Sequence, residues 1–114
     1  MIQHAVQVPA GEARLDGDLV VPDGAAGVVL FAHGSGSSRH SPRNRFVAGE
    51  LQSAGLATLL LDLLTPGEEA VDERTAELRF DIGLLGRRLI HAIDWLRAQE
   101  ETAQLPIGLW AVSS

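Results

Sequence analysis

The chain has 114 residues, of which 46% are hydrophobic and 21% are charged, and its formal net charge is −6. That composition is typical of a folded protein, and the length suits one small domain over residues 1–114. The absence of cysteine excludes disulfides, thiolate metal ligands and cysteine nucleophiles. All nine basic residues are arginines spread along the chain, so we expect no nucleic-acid-binding surface.

The N-terminal residues have neither the basic region nor the apolar core of a signal peptide. Apolar runs such as residues 57–64 are too short to cross a membrane. We therefore expect a cytoplasmic protein that makes no membrane contact.

Two strands are predicted at the start of the chain, over residues 3–8 and 13–21, with a turn at residues 9–12 between them. Asp16-Gly17 inside the second strand is a turn signal, which leaves open a bulge or a separate hairpin. An antiparallel hairpin followed by β-α-β units predicts an α/β fold. Its sheet would be mixed, mostly parallel and flanked by helices.

The third predicted strand, residues 28–32, is apolar without alternation, so we expect it in the centre of the sheet. It leads into a loop of glycine and serine, after which Ser41 and Pro42 predict the start of a helix. Strand, tight loop and helix together place backbone N–H groups where they can face negative charge.

Three interpretations of this loop stay open. It could be an oxyanion loop that uses the amides of Gly34, Ser35 or Gly36, a phosphate-binding loop, or a tight turn without chemistry. The dinucleotide-binding pattern fails because Arg39 occupies its last glycine position, and the Walker pattern fails because the chain has no lysine. Arg39 itself is interpreted either as part of a solvated helix start or as a contact for an anionic substrate group.

The run that begins at His33, His-Gly-Ser-Gly-Ser-Ser-Arg-His-Ser-Pro-Arg-Asn-Arg-Phe, resembles the dienelactone-hydrolase-like branch of the α/β-hydrolases. Close relatives of that branch are encoded together with phosphoribosyltransferase domains. The resemblance covers essentially the whole chain and implies a partial α/β-hydrolase fold. It implies a serine hydrolase of small-molecule esters or lactones, with His33 in the oxyanion loop. We expect neither a metal nor a cofactor.

The first helix is predicted over residues 41–54, with Phe46 facing the sheet. The next strand, residues 56–61, ends at Asp62, beside the glycine-rich loop. Asp62 is interpreted either as a residue that lines the pocket or as a carboxylate that accepts hydrogen bonds from loop amides.

Residues 63–72 are predicted as a loop whose acidic pair, Glu68-Glu69, is solvated. One long helix is then predicted over residues 73–99. An apolar stripe runs along it, and Arg88 lies largely off that stripe.

Residues 106–112 are predicted as a further parallel strand, after which Ser113 and Ser114 complete the sequence. Ala111-Val112-Ser113-Ser114 stands where the resemblance places Gly-x-Ser-x-Gly, which implies Ser113 as the nucleophile. The family's acid and base follow later, so we expect a truncated hydrolase that is inactive as an isolated chain. The alternative is a non-catalytic half-domain that pairs with a second chain, or with itself, through the exposed last strand.

Overall fold

The computed structural model describes residues 1–33, 39–75 and 81–112, which form a five-stranded sheet with helices on both faces. The elements are β1 (Ile2–Ala10), β2 (Ala13–Val21), β3 (Val28–His33), α1 (Pro42–Ser53), β4 (Ala57–Asp62), α2 (Pro66–Thr75), α3 (Ile82–Ala98) and β5 (Ile107–Val112).

The strands lie in the order β1-β2-β4-β3-β5. β2 is antiparallel to β1 and β4, whereas β3 is parallel to β4 and β5. The predicted α/β fold with a mixed sheet is therefore confirmed. β3 lies between two neighbours and is almost completely buried, as its continuous apolar sequence predicts.

β1 and β2 form one uninterrupted hairpin around a two-residue turn in which Gly11 has φ +63°. Gly17 makes neither a bulge nor a second turn, because its pairing with Val6 and Leu61 continues the register. A Cβ atom there would lie 3.1 Å from the Leu60 carbonyl oxygen and 3.1 Å from the Leu59 side chain. A side chain at this position would require these neighbours to shift, because β4 approaches closely.

α1 covers one face of the sheet through Ala48, which packs against Phe31 and Leu60. Phe46 does not face the sheet as predicted, because its side chain is 68% exposed. The small Ala48 allows the helix to approach the sheet, and Phe46 lies outside that contact.

α3 covers the opposite face and buries Ala92 and Leu96 against the larger apolar core. This core contains fully buried leucines from three strands, among them Leu15, Leu30 and Leu59. Burying one leucine side chain contributes roughly 2 kcal/mol to folding. The two faces of the sheet therefore have separate apolar layers, one under each helix.

α2 occupies part of the segment predicted as a loop, so that prediction is wrong. Thr65 begins the helix as a capping box: its backbone N–H donates to Glu68 Oε1 at 2.9 Å, and the Glu68 N–H donates to Thr65 Oγ1 at 3.3 Å. The predicted single long helix over residues 73–99 is also wrong, because Asp81 inside it is the non-helical residue that precedes α3, with φ −82° and ψ 82°. Asp81 caps α3 by accepting the Leu84 N–H at 3.0 Å.

Glu68 and Arg88 join α2 to α3, although the sequence predicts a solvated Glu68 and places Arg88 largely off the apolar stripe of its helix. Arg88 is buried, and its guanidinium donates to both Glu68 carboxylate oxygens, at 2.5 and 2.8 Å, and to the Leu63 carbonyl oxygen at 2.8 Å. The hydrogen bonds from Arg88 lower the pKa of Glu68 to about 2. This ion pair therefore links α2 to α3 next to Leu63, the residue that follows β4.

Among the described residues, no helix combines the length and the apolar character needed to cross a membrane.

Replacing Arg88 with methionine should lower the free energy of unfolding by about 2 kcal/mol, because it leaves the partly buried Glu68 carboxylate and the Leu63 carbonyl without their donor. Chemical denaturation of the full natural polypeptide measures this change. Arg87→Met is the matched control, since Arg87 is exposed on the same helix and makes no ion pair with a described residue. Equal effects of the two substitutions would contradict a stabilising role for the pair.

The same pair should make stability pH-dependent in acid. The pKa of Glu68 lies near 2 in the folded protein and near 4.5 without its partner, so its contribution is complete above pH 4.5 and is lost as the pH falls toward 2. Glu68→Gln should flatten the unfolding free energy across this interval. An unchanged slope in that variant would show that other carboxylates cause the acid sensitivity.

Candidate functional site

The candidate site lies at the edge of the sheet where the parallel strands β3, β4 and β5 end. His33, the last residue of β3, pairs with Asp62 on one side and with Val112 on the other. Neighbouring strands are about 4.8 Å apart, so the ends of β4 and β5 lie about 10 Å from one another. The carboxyl ends of β3, β4 and β5 therefore lie at the same edge of the sheet, where open α/β sheets bind ligands.

Four of the predicted site residues, Gly34, Ser35, Gly36 and Ser113, lie outside the described residues. The other three, His33, Arg39 and Asp62, are described, and the structure brings them together at this edge.

His33 is buried, with 1% of its surface exposed. Its Nδ1 atom lies 3.2 Å from the Leu61 carbonyl oxygen, which can only accept a hydrogen bond, so Nδ1 carries the proton. The Nε2 atom then presents a lone pair, and it is buried without a partner among the described residues. The ring also stacks on Phe31, with 6.5 Å between the ring centroids.

Burial lowers the pKa of His33, although the Leu61 carbonyl and the Asp62 carboxylate act in the opposite direction. The ring is therefore neutral near pH 7. A neutral imidazole with a buried lone pair can accept a hydrogen bond from a nearby N–H or O–H group.

Asp62 and Arg39 form the charged centre of the site. One Asp62 oxygen, Oδ1, accepts the backbone N–H of Arg39 at 2.7 Å, and Oδ2 accepts its guanidinium NH1 at 2.6 Å. The Arg39 side chain also lies 3.6 Å from the Asp18 carboxylate. Arg39 is thus not a solvated helix start, because two carboxylates surround it. The predicted pocket-lining role of Asp62 and Arg39 stays a prediction.

Asp18 is a member of this cluster that sequence reasoning missed. Its carboxylate accepts a hydrogen bond from Arg45 at 2.7 Å, and Arg45 lies 3.3 Å from His40 Nδ1. The alternation along β2 puts Asp18 on the α1 face of the sheet, but only the pairing of Asp18 with Leu60 on β4 brings it to the site. The positive charges of the two arginines, Arg39 and Arg45, balance the negative charges of Asp18 and Asp62, so the cluster carries little net charge.

A cavity of about 580 Å³ lies elsewhere, between the β1–β2 turn, the start of α2 and α3. None of the described site residues, His33, Arg39 and Asp62, lines it. Among the described residues, no group of three or more histidine, aspartate or glutamate side chains is arranged to hold a metal ion.

The sheet order and the shared strand edge define part of an α/β-hydrolase fold. The crystal structure of dienelactone hydrolase from Anabaena variabilis matches the chain with a TM-score of 0.92 and 60% sequence identity, over 98% of this chain and 52% of that one. The resemblance to the dienelactone-hydrolase-like branch is therefore confirmed. Est1E from Butyrivibrio proteoclasticus, at 15% identity and a TM-score of 0.76 over 96% of this chain and 40% of its own, shares the fold alone.

Two curated proteins of Mycobacterium tuberculosis, from strains CDC 1551 / Oshkosh and H37Rv, are 54% identical to the chain over 109 residues. Each is named a "putative phosphoribosyl transferase", and the match covers 96% of this chain but 24% of either protein. No protein-family model matches. The chain thus spans about half the length of the dienelactone hydrolase and about a quarter of its curated relatives.

The imidazole of His33 should titrate below pH 6.5, because burial favours its neutral form. The stability it contributes is complete above pH 6.5 and is lost as the pH falls toward the lowered pKa. Nitrogen-15 spectra of the ring should show the proton on Nδ1, and His33→Asn identifies the signal. A midpoint at or above pH 6.5, or a proton on Nε2, would contradict the assigned tautomer and environment.

Proposed function

We propose that this chain carries the oxyanion loop and the nucleophile of a serine hydrolase that acts on ester or lactone substrates. The observation that supports this proposal most is the register of β3 with β5. Because His33 and Val112 are paired, the loop that begins at Gly34 and the residue Ser113 both follow strand ends at one edge. The 60% identity to dienelactone hydrolase supports the same chemistry.

In the proposed reaction the Ser113 hydroxyl oxygen attacks the substrate carbonyl carbon while a general base takes the hydroxyl proton. The carbonyl oxygen becomes negatively charged, and backbone N–H groups of Gly34, Ser35 or Gly36 stabilise it. The alcohol leaves with a proton from the base, and water then releases the acid from the serine ester. A lactone follows the same steps, but its alcohol stays attached to the acyl group.

We do not assign the general base to His33. Its Nδ1 proton is held by the Leu61 carbonyl, its Nε2 atom is buried, and burial lowers its pKa. Its proposed role is to hold the end of β3 in place before the oxyanion loop, with its imidazole neutral and fixed in orientation. In this proposal the base and its acid partner come from polypeptide that follows Ser113 in the order typical of the family.

The phosphoribosyl transferase activity in the names of the two mycobacterial proteins is not proposed for this chain. The match covers 24% of those proteins, and the glycine-rich loop fits neither the dinucleotide-binding pattern nor the Walker pattern.

Treatment of the full natural polypeptide with a fluorophosphonate should attach one phosphonyl group to Ser113, which peptide mass spectrometry detects. Ser113→Ala should abolish both the label and ester hydrolysis, while Ser114→Ala, the matched neighbour, should retain the label. Labelling of Ser114, or hydrolysis that survives in Ser113→Ala, would overturn the proposed nucleophile.

The second candidate is a non-catalytic half-domain that pairs with another chain through β5. Leu109 and Trp110 are 56% and 44% exposed, and consecutive strand residues point to opposite faces. β5 therefore presents apolar side chains on both faces, and its outer edge has no neighbour among the described residues. We propose that the partner of β5 is a polypeptide with the other half of an α/β-hydrolase fold, because the match covers 52% of the length of dienelactone hydrolase.

Leu109→Glu should weaken this association at least tenfold, since it places a charge in the apolar contact. The matched control is Ile90→Glu, which changes an equally exposed apolar residue, 61% exposed, on α3. Size-exclusion chromatography of the 114-residue chain with a separately produced second half measures complex formation. A monodisperse chain that binds no second half would refute the pairing function.

A further inference from the structure

We propose that Asp62 is a positioning residue that holds the candidate oxyanion loop in place through Arg39. This inference rests on the proposed function, because it takes the amides of Gly34, Ser35 or Gly36 as oxyanion donors. Asp62 is not assigned a contact with substrate. It acts on the loop through Arg39, the first described residue after the loop.

The first part of the argument is the entry to the loop. His33, the last described residue before the loop, is held in two ways by residues at the end of β4 and just after it. Its carbonyl oxygen accepts the Leu63 N–H at 2.9 Å, and its Nδ1–H donates to the Leu61 carbonyl at 3.2 Å. The main chain is therefore fixed, and the imidazole oriented, at the point where the loop begins.

The second part is the exit from the loop. Arg39, the first described residue after residues 34–38, donates its backbone N–H and its guanidinium to the two different oxygens of Asp62, at 2.7 and 2.6 Å. One carboxylate thereby fixes both the main chain and the side chain of the same residue. The Asp62 side chain is 16% exposed, so water competes weakly for these charge-assisted hydrogen bonds.

Both ends of the loop are thus attached to three consecutive residues at the end of β4, Leu61, Asp62 and Leu63. Fixing the ends of a short loop reduces the number of conformations that its amides can sample. Amide donors stabilise a developing oxyanion best when they are oriented before the reaction, because no reorganisation is then needed. The two hydrogen bonds between Asp62 and Arg39, here called the latch, would supply that orientation at the end of the loop.

Asp62 differs from Asp18, the other carboxylate near Arg39. Asp18 contacts the Arg39 guanidinium at 3.6 Å and bonds to Arg45, and no contact joins it to the Arg39 backbone. Substitutions at the two aspartates therefore separate the loss of a charge near Arg39 from the loss of the backbone hydrogen bond.

Amide hydrogen exchange in the full natural polypeptide tests the latch without any need for activity. In Asp62→Ala, peptides that contain residues 34–39 should exchange at least tenfold faster, because a hydrogen bond to a charged group is lost. Asp62→Asn should have an intermediate effect, since its carbonyl oxygen can still accept the Arg39 N–H while its NH₂ group opposes the guanidinium. Asp18→Asn should leave the exchange of this segment unchanged.

Each other outcome overturns the latch. Exchange of residues 34–39 that is unchanged in both Asp62 variants would show that the contact does not hold the loop. An increase spread equally over β3 and β4 in Asp62→Asn would indicate general destabilisation. An equal increase in Asp18→Asn would assign the effect to charge alone.

The rate of fluorophosphonate attachment at Ser113 gives the second readout. A positioning role predicts that Asp62→Ala slows the labelling step at saturating reagent, with little change in the reagent concentration needed for half-saturation. If the wild-type protein does not label while its exchange pattern responds to Asp62→Ala, the proposed hydrolase fails and the latch stands. If the wild-type protein labels but the exchange does not respond, the latch alone fails.

Discussion

The parallel hydrogen bonding of β3 with both β4 and β5 is the constraint on which the candidate site depends. A one-residue shift of either pairing would turn the side chains of that strand to the opposite faces of the sheet and separate its end from His33. The observed register pairs His33 with Asp62 and with Val112, so the three strands end at one level of the sheet. The register is itself favoured by burial, because Leu30 and Leu59 pair with one another and lie in the core.

The end of β4 then connects the remaining parts of this edge. Leu61 accepts from the His33 ring, Asp62 accepts from Arg39, and the Leu63 carbonyl accepts from the buried Arg88. Through these contacts β3, the segment that precedes α1, and α3 are all tied to one short stretch of chain. The charged groups involved are paired, and His33 is held neutral by burial, so little net charge remains at the edge.

The errors of the sequence-based predictions have identifiable causes. The helical spacing of residues 41–54 is compatible with more than one buried face, and the small Ala48 rather than Phe46 meets the sheet. α2 was missed although Thr65 and Glu68 have the spacing of a capping box, which is a local signal that could have identified the helix. Arg88 could not be recognised as buried, because its partner Glu68 lies 20 residues earlier in the chain.

The sequence by itself determined the order of the five strands along the chain, the central position of β3 and the family resemblance. These properties follow from local patterns: continuous apolar runs, turn residues and the His-Gly-Ser-Gly motif. Only the tertiary structure decided which charges meet, such as Arg39 with Asp62 and Asp18, and which histidine loses contact with water. The physical reason is that strand pairing and helix packing bring together residues far apart in the chain, and no local pattern encodes the distances between their side chains.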